Sequence, residues 1–256
     1  MLRKALTVTG LKKSYGGLYA TRDVHLDVTA GDVHAVIGPN GAGKTTLLSL
    51  LAGALQSDAG EIYLFDAPVH PLSEQKRVAV GLVRSFQITS VFDEMTVVDN
   101  LIVAVHKKMY SDYGFFRPGT SDEHAKEVAM ALAQRVGLGD FALRPCTQLS
   151  HGARRRLDVG LAIACEPKLL LMDEPMAGMG HEESQDMIAL IQSLKKDMTI
   201  VLVEHDMDAV FALADKITVL VQGAVLVTGT VDEIKSNQEV KLAYLGEDEE
   251  TSEVAA

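Results

Sequence analysis

Tryptophan is absent from this sequence, cysteine occurs twice, and aromatic residues make up only 5%. Two cysteines, Cys146 and Cys165, give no disulfide framework and no metal-ligand spacing. Both sit beside apolar residues, so reduced, partly buried thiols in a cytosolic protein are expected. Long apolar runs are also missing: Leu169–Met172 and Ile217–Val221 are far too short to span a bilayer. Met1-Leu2-Arg3-Lys4-Ala5-Leu6 lacks the apolar stretch and small-residue cleavage pattern of a signal peptide. A soluble chain is expected, with any membrane connection made through a partner. Basic excess is lacking as well. A net charge of −11 argues against a general nucleic-acid binder, because the phosphate backbone rewards surplus Lys and Arg. Arg154-Arg155-Arg156 is a local basic cluster that reads either as a contact point or as a solvated helix face. No internal repeat and no Pro- or Ser-rich linker interrupts the 256 residues, so one domain with subdomains is expected.

What the sequence does contain is a phosphate-binding loop. Gly38-Pro39-Asn40-Gly41-Ala42-Gly43-Lys44-Thr45-Thr46 fits the pattern G-x-x-x-x-G-K-[ST]. The apolar run His34–Ile37 before it reads as a buried strand, and Thr45–Ala52 after it reads as a helix ended by Gly53. Glycines allow several N–H groups to turn onto one anion, and the helix N-terminus adds partial positive charge there. Lys44 supplies a full charge for the β- and γ-phosphates, and the Thr45 hydroxyl suits Mg²⁺. A nucleoside triphosphate is the expected ligand.

Alternating polarity in Leu6–Thr9 and Val24–Val28 predicts half-buried antiparallel strands, with Gly60–Phe65 another of the group. Val97–His106 and His124–Val136 carry helical spacing around Tyr110–Thr120, a stretch of Gly, Pro and aromatics read as an irregular loop. Lys168–Met172 and Thr199–Val203 are continuous apolar runs, as in strands covered on both faces. The helical segment Glu182–Lys196 between them completes a βαβ unit. Gln222-Gly223 predicts a hairpin turn, and Thr230 with Glu233 has capping-box spacing before a short helix. The acidic tail from Glu247 is expected to fray.

Leu169–Glu174 is a second strong signal, since it delivers two carboxylates to the C-terminal end of an apolar strand. Asp173 would hold Mg²⁺, directly or through water, while Glu174 would deprotonate an attacking water. Strand alternation would send the two side chains to opposite sides. His205, one strand later, is either a contact to the γ-phosphate or a polar strand end. Gln87 is weak taken alone, and Tyr15 is either an adenine platform or an ordinary exposed tyrosine beside glycine.

Leu149-Ser150-His151-Gly152-Ala153, taken with the phosphate loop, Gln87, Leu169–Glu174 and His205 in that order, resembles the ATP-binding subunit of an ABC transporter. The resemblance spans about residues 5 to 246. It implies an α/β fold: a P-loop NTPase with a RecA-like, mostly parallel sheet flanked by helices, an antiparallel β subdomain and a helical signature subdomain. That helical subdomain would occupy about 88–159 of a single 1–246 domain, followed by a disordered acidic tail at 247–256. The resemblance further implies a head-to-tail dimer with a second ATP-binding subunit. ATP and Mg²⁺ would sit on Gly38, Asn40, Gly41, Gly43, Lys44, Thr45 and Thr46, closed over by the partner's signature. Ser150 and Gly152 would serve the partner's ATP, and Tyr15 would face adenine. Gln87 and Asp173 would join Thr45 at the metal, with Gln87 linking it to the membrane subunit. Glu174 would be the base and His205 the switch histidine. Three residues depart from the pattern: His151 for a glycine, Ala153 for a glutamine, and Gly180, in Ala177-Gly178-Met179-Gly180, for an Asp or Asn.

The segment Met95–Leu101, the loop with Phe115-Phe116-Arg117-Pro118, and the ending Ala243-Tyr244-Leu245-Gly246 resemble ATPases of branched-chain amino-acid importers. Implied partners are membrane-spanning permease subunits and, indirectly, a periplasmic binding protein, with the chain peripheral on the cytoplasmic face of the inner (cell) membrane. Phe86, Phe92 and Phe116 are either anchors for a permease helix or core residues. A urea or amide importer, and a non-transport ABC-type clamp acting on a macromolecule, are the alternatives. The clamp class typically carries two ATP domains or long basic insertions, which are absent here.

Overall fold

A computed structural model describes residues 3–85, 91–109 and 121–244. The chain begins with β1 (Lys4–Tyr15), β2 (Leu18–Thr29) and β3 (Val33–Ile37), followed by α1 (Lys44–Ala52). Next come β4 (Ala59–Leu64), β5 (Ala67–Pro68), α2 (Glu74–Val80) and β6 (Leu82–Arg84). Three helices follow: α3 (Val97–Met109), α4 (Ser121–Arg135) and α5 (His151–Ile163). The chain then alternates through β7 (Leu169–Asp173), α6 (His181–Leu194), β8 (Thr199–Val203) and α7 (Met207–Leu213). It closes with β9 (Lys216–Val221), β10 (Ala224–Gly229) and α8 (Val231–Ser236).

Two sheets result, and the hydrophobic pattern of each strand explains which. β1 and β2 alternate buried and exposed side chains, and they join β4 and β5 in an antiparallel sheet of order β2-β1-β4-β5. Every residue of β3, β7 and β8 is buried, as a sheet covered on both faces demands. These strands form the centre of the second sheet, of order β10-β9-β3-β8-β7-β6, in which the β9–β10 pairing is antiparallel and the others parallel. Leu47, Leu48 and Leu51 of α1 fill the space between the two sheets with Val8, Leu26 and Ile62. On the opposite side, Leu101, Ala133 and Leu157 from α3, α4 and α5 share a core with Leu170 and Met172 of β7.

Local chemistry decides where elements stop. Gly53 ends α1 in the left-handed region, at φ 81°. The last carbonyls of α1 are taken by a guanidinium: buried Arg77 of α2 donates to Leu50 and Leu51 oxygens at 2.6 and 2.7 Å. A cation on the negative end of the helix dipole fixes α1, and so the loop before it. Thr230 and Glu233 make the expected reciprocal capping box on α8, and Gln222-Gly223 make the β9–β10 turn with φ 47° and 78°. Helix ends differ by a few residues from the predicted ones, with α4 starting at Ser121 and α6 ending at Leu194. The tract Tyr110–Thr120 and the tail 247–256 lie outside the described residues.

Two residues of the Arg154-Arg155-Arg156 cluster are engaged in ion pairs with neighbouring segments. Arg154 pairs with Asp93 at 2.5 Å and Arg156 with Asp186 at 3.0 Å, so the cluster braces α5 against its neighbours. Deeper on α5, Asp158 is buried, and neither carboxylate oxygen meets a hydrogen-bond partner among the described residues. Burial pushes its carboxyl up to about 7, partly offset by Arg155 and Arg154. The folded chain therefore holds this proton where the unfolded chain releases it, and stability falls as pH rises from the ordinary carboxylate range through about 7. Asp158→Asn should raise the melting temperature at pH 8 by about 2–6 °C, with a smaller gain at pH 5. A gain independent of pH would show that the carboxylate is not the cause.

Candidate functional site

The phosphate loop turns between β3 and α1, and the backbone on both sides explains its glycines. A Cβ at Gly38 would lie 2.1 Å from the Leu220 oxygen of β9, and one at Gly43 would lie 2.1 Å from the Ala20 oxygen of β2. Gly41, at φ 75°, faces open space, so there the left-handed conformation rather than crowding favours glycine. The loop is thus clamped between both sheets, and Gly223 N–H donates to Ala42 O at 3.0 Å to close the clamp. Gly43 caps α1 without any side-chain hydrogen bond, leaving first-turn N–H groups available to an anion. Lys44, largely buried, folds back to donate to Gly38 and Pro39 oxygens at 2.6 and 2.9 Å.

The loop from Asn40 onward, but not Gly38, lines a cavity of about 620 Å³. Asn40, Gly41, Gly43, Lys44, Thr45 and Thr46 line it together with Glu174. The β1–β2 hairpin and start of β2 add Leu18, Tyr19, Ala20 and Arg22 to the lining. Tyr15 is exposed one register pair away, opposite Leu18, and its ring lies 5.7 Å from the Lys13 ammonium. It does not line the cavity, whereas Tyr19, which the sequence did not single out, does.

Asp173 and Glu174 part company, but not by strand alternation. Asp173 is the last residue of β7, and Glu174 lies beyond the strand with φ 46°, a left-handed conformation unusual for a side chain of this kind. Its N–H still donates to Val203 O at 2.8 Å, so the sheet pins the turn that aims the carboxylate at the cavity. Backbone strain of about 1–3 kcal/mol at such a residue persists where the surroundings impose it. Asp173 is fully buried, and its Oδ2 receives Arg84 at 2.7 Å. Burial raises its carboxyl above the usual range, against the pull of Arg84 and Lys44. Its Oδ1 meets no hydrogen-bond partner among the described residues. An orphaned buried carboxylate oxygen near Lys44 and the exposed Thr45 hydroxyl fits a divalent cation that draws its remaining ligands from phosphates and water. No cluster of three His, Cys, Asp or Glu that could hold a metal occurs among the described residues.

His205 places Nδ1 3.9 Å from Glu174 Oε1 and 3.7 Å from Glu204 Oε2. Glu204 went unnoticed in the sequence as a structural part. It is buried, and it accepts from Met176 N at 3.0 Å and His205 N at 2.9 Å, tying the segment after Glu174 to the end of β8. Arg84 was likewise missed, and it joins Asp173 to the Ser49 hydroxyl of α1. No motif pointed to either residue; only the buried end of an apolar strand hinted at Glu204. Gln87 lies outside the described residues.

The signature residues sit on a different surface. Ser150 caps α5, its hydroxyl accepting from Ala153 N at 3.2 Å. Ser150 and Gly152 do not line the cavity that holds the phosphate loop. His151 Nε2 contacts Ala177 O at 3.1 Å, so the first departure from the signature pattern is bonded to the loop after Glu174. Gly180 caps α6 in extended conformation, with open space where a Cβ would point. A side chain is therefore accommodated at 180, and its absence is not forced by packing.

Residues 21–177 match the sequence model of the ABC transporter family. The chain is 39% identical over 254 residues to the high-affinity branched-chain amino acid transport ATP-binding protein BraF of Pseudomonas aeruginosa, covering 96% of this chain and all of that protein. It is 36% identical, at the same coverage, to LivG of Escherichia coli, which carries the same description. Among solved structures it resembles the ADP conformation of an ATP-binding cassette of an ABC transporter, with a TM-score of 0.84, 27% identity, and 95% and 99% of the two chains covered.

Proposed function

The chain belongs to the ABC transporter family as an ATP-binding, ATP-hydrolysing subunit, and we propose that it powers import of branched-chain or other hydrophobic amino acids. The observation that carries the substrate class is the match to BraF over that protein's entire length. Gly38, Asn40, Gly41, Gly43, Lys44, Thr45 and Thr46 hold the triphosphate, and the exposed hairpin with Tyr15 and Tyr19 meets the adenine. Thr45 and Asp173 would hold Mg²⁺, with Gln87 as a third partner, and the cation would neutralise charge on the β- and γ-phosphates. Glu174 takes a proton from water as the water oxygen bonds to the γ-phosphorus. The bond from that phosphorus to the bridging oxygen breaks, releasing ADP and phosphate. His205 contacts the γ-phosphate beside Glu174.

The separation of Ser150 and Gly152 from the cavity supports a shared site, in which they close over ATP held by a second ATP-binding subunit. ATP that binds the closed pair best holds it shut, and hydrolysis releases it. The helical part, about 88–159 of a 1–246 domain, docks on membrane-spanning permease subunits. The exposed apolar side chains of Phe92 and Val103 there support a docking surface. Phe86 and Phe116 lie outside the described residues. No helix among the described residues is long and apolar enough to cross a membrane. As the partner of a permease, the subunit would sit peripherally on the cytoplasmic face of the inner membrane. A periplasmic binding protein would deliver the amino acid on the other side. Affinity purification from detergent-solubilised membranes should recover the chain with an integral membrane protein. Recovery only as a free species, or with ribosomes or DNA, would overturn the importer reading.

A further inference from the structure

The N-terminus of α5 already carries an anion from its own chain. Glu183, in the first turn of α6, accepts from the Ser150 hydroxyl at 2.8 Å and from Gly152 N–H at 3.3 Å, both through Oε1. A Cβ at residue 152 would lie 2.5 Å from Glu183 Cδ, so the signature glycine is what lets the carboxylate in. Glu183 also accepts from Gly180 N–H, and hydrogen bonds from these donors hold its carboxyl below the usual range, the Ser150 hydroxyl contributing most. Ser150, Gly152 and the α5 N-terminus therefore surround a resident negative charge.

Resting on the shared-site reading above, we propose that Glu183 is a positioning residue that competes, through Ser150 and Gly152, with the γ-phosphate of ATP held by the second subunit. One hydroxyl and one N–H cannot serve a carboxylate and a phosphate oxygen at the same place. Closure of the pair therefore requires Glu183 to release Ser150 and turn away. The exchange couples closure to α6, and through the bonds Gly180–Glu183 and His151–Ala177 to the loop that follows Glu174. Glu183 sets how much ATP is needed to close the site and has no part in breaking the phosphate bond.

The test uses the assembled transporter, carrying Glu183→Gln, Glu183→Ala or Ser150→Ala in this chain, with ATPase rates measured across ATP concentrations. Gln keeps an oxygen that accepts from Gly180, so it preserves the α6 cap while removing the charge. Glu183→Gln and Glu183→Ala should each lower KM for ATP about fivefold and change kcat less than about twofold, the scale of one charge at a helix N-terminus. A merely structural cap would leave KM unchanged in the Gln variant. Ser150→Ala should raise KM or cut turnover at least ~10-fold, as loss of a hydrogen bond to a charged group does. Unimpaired Ser150→Ala would overturn the shared site itself. Impaired Ser150→Ala with a KM unchanged or raised in both Glu183 variants would overturn the competition alone.

Discussion

Glu174→Gln slows ATP hydrolysis at least ~100-fold while ATP still binds, because the amide keeps the shape of the side chain and cannot take a proton from water. The geometry favours this outcome over a structural role. Glu174 lines the cavity, and its side chain is about one third exposed rather than locked in the core. Its left-handed backbone is held by the bond from its own N–H to Val203, which Gln leaves intact. The substitution thus alters the proton acceptor and little else. Single-turnover hydrolysis beside a nucleotide titration separates chemistry from binding. Near-normal turnover would remove Glu174 from the role of base.

The sequence was most legible where one residue type has one physical use. Gly53 at the end of α1, Gln222-Gly223 in the hairpin, and Thr230 with Glu233 all stand where backbone chemistry alone would put them. The continuous apolar runs read as buried strands because a sheet covered on both faces leaves no alternation. Short elements were not legible: β6 has only three residues, and α2 places mostly polar side chains outward. In the site, motifs located the phosphate loop and both carboxylates, but not Arg84, Glu204 or Arg77. Those three act through contacts between segments distant in sequence, and such pairing leaves no local pattern. The glycines show a further limit. Gly38 and Gly43 look like residues chosen for a tight turn, yet each also makes room for a carbonyl from a different sheet. Asp173 and Glu174 do part, but a turn at Glu174, and not strand alternation, separates them.

Lys44→Ala should weaken ATP binding at least ~10-fold, since a hydrogen bond to a charged group contributes about 1.5–3 kcal/mol and 1.4 kcal/mol is a factor of ten. Two effects combine in that loss. The ammonium brings a full positive charge to the cavity lining, and it also bonds the Gly38 and Pro39 oxygens that shape the loop. Lys44→Arg separates them: the charge stays, but a planar guanidinium cannot copy a compact ammonium seated between two carbonyls. If charge dominates, Arg retains most of the affinity. If loop shape dominates, Arg and Ala fall together, and both variants melt earlier than the parent. Calorimetric titration with ATP, with a thermal melt on each variant, reads both quantities. Unchanged affinity in Lys44→Ala would mean that the N–H groups of the loop and α1 suffice, and that the lysine is not the phosphate anchor.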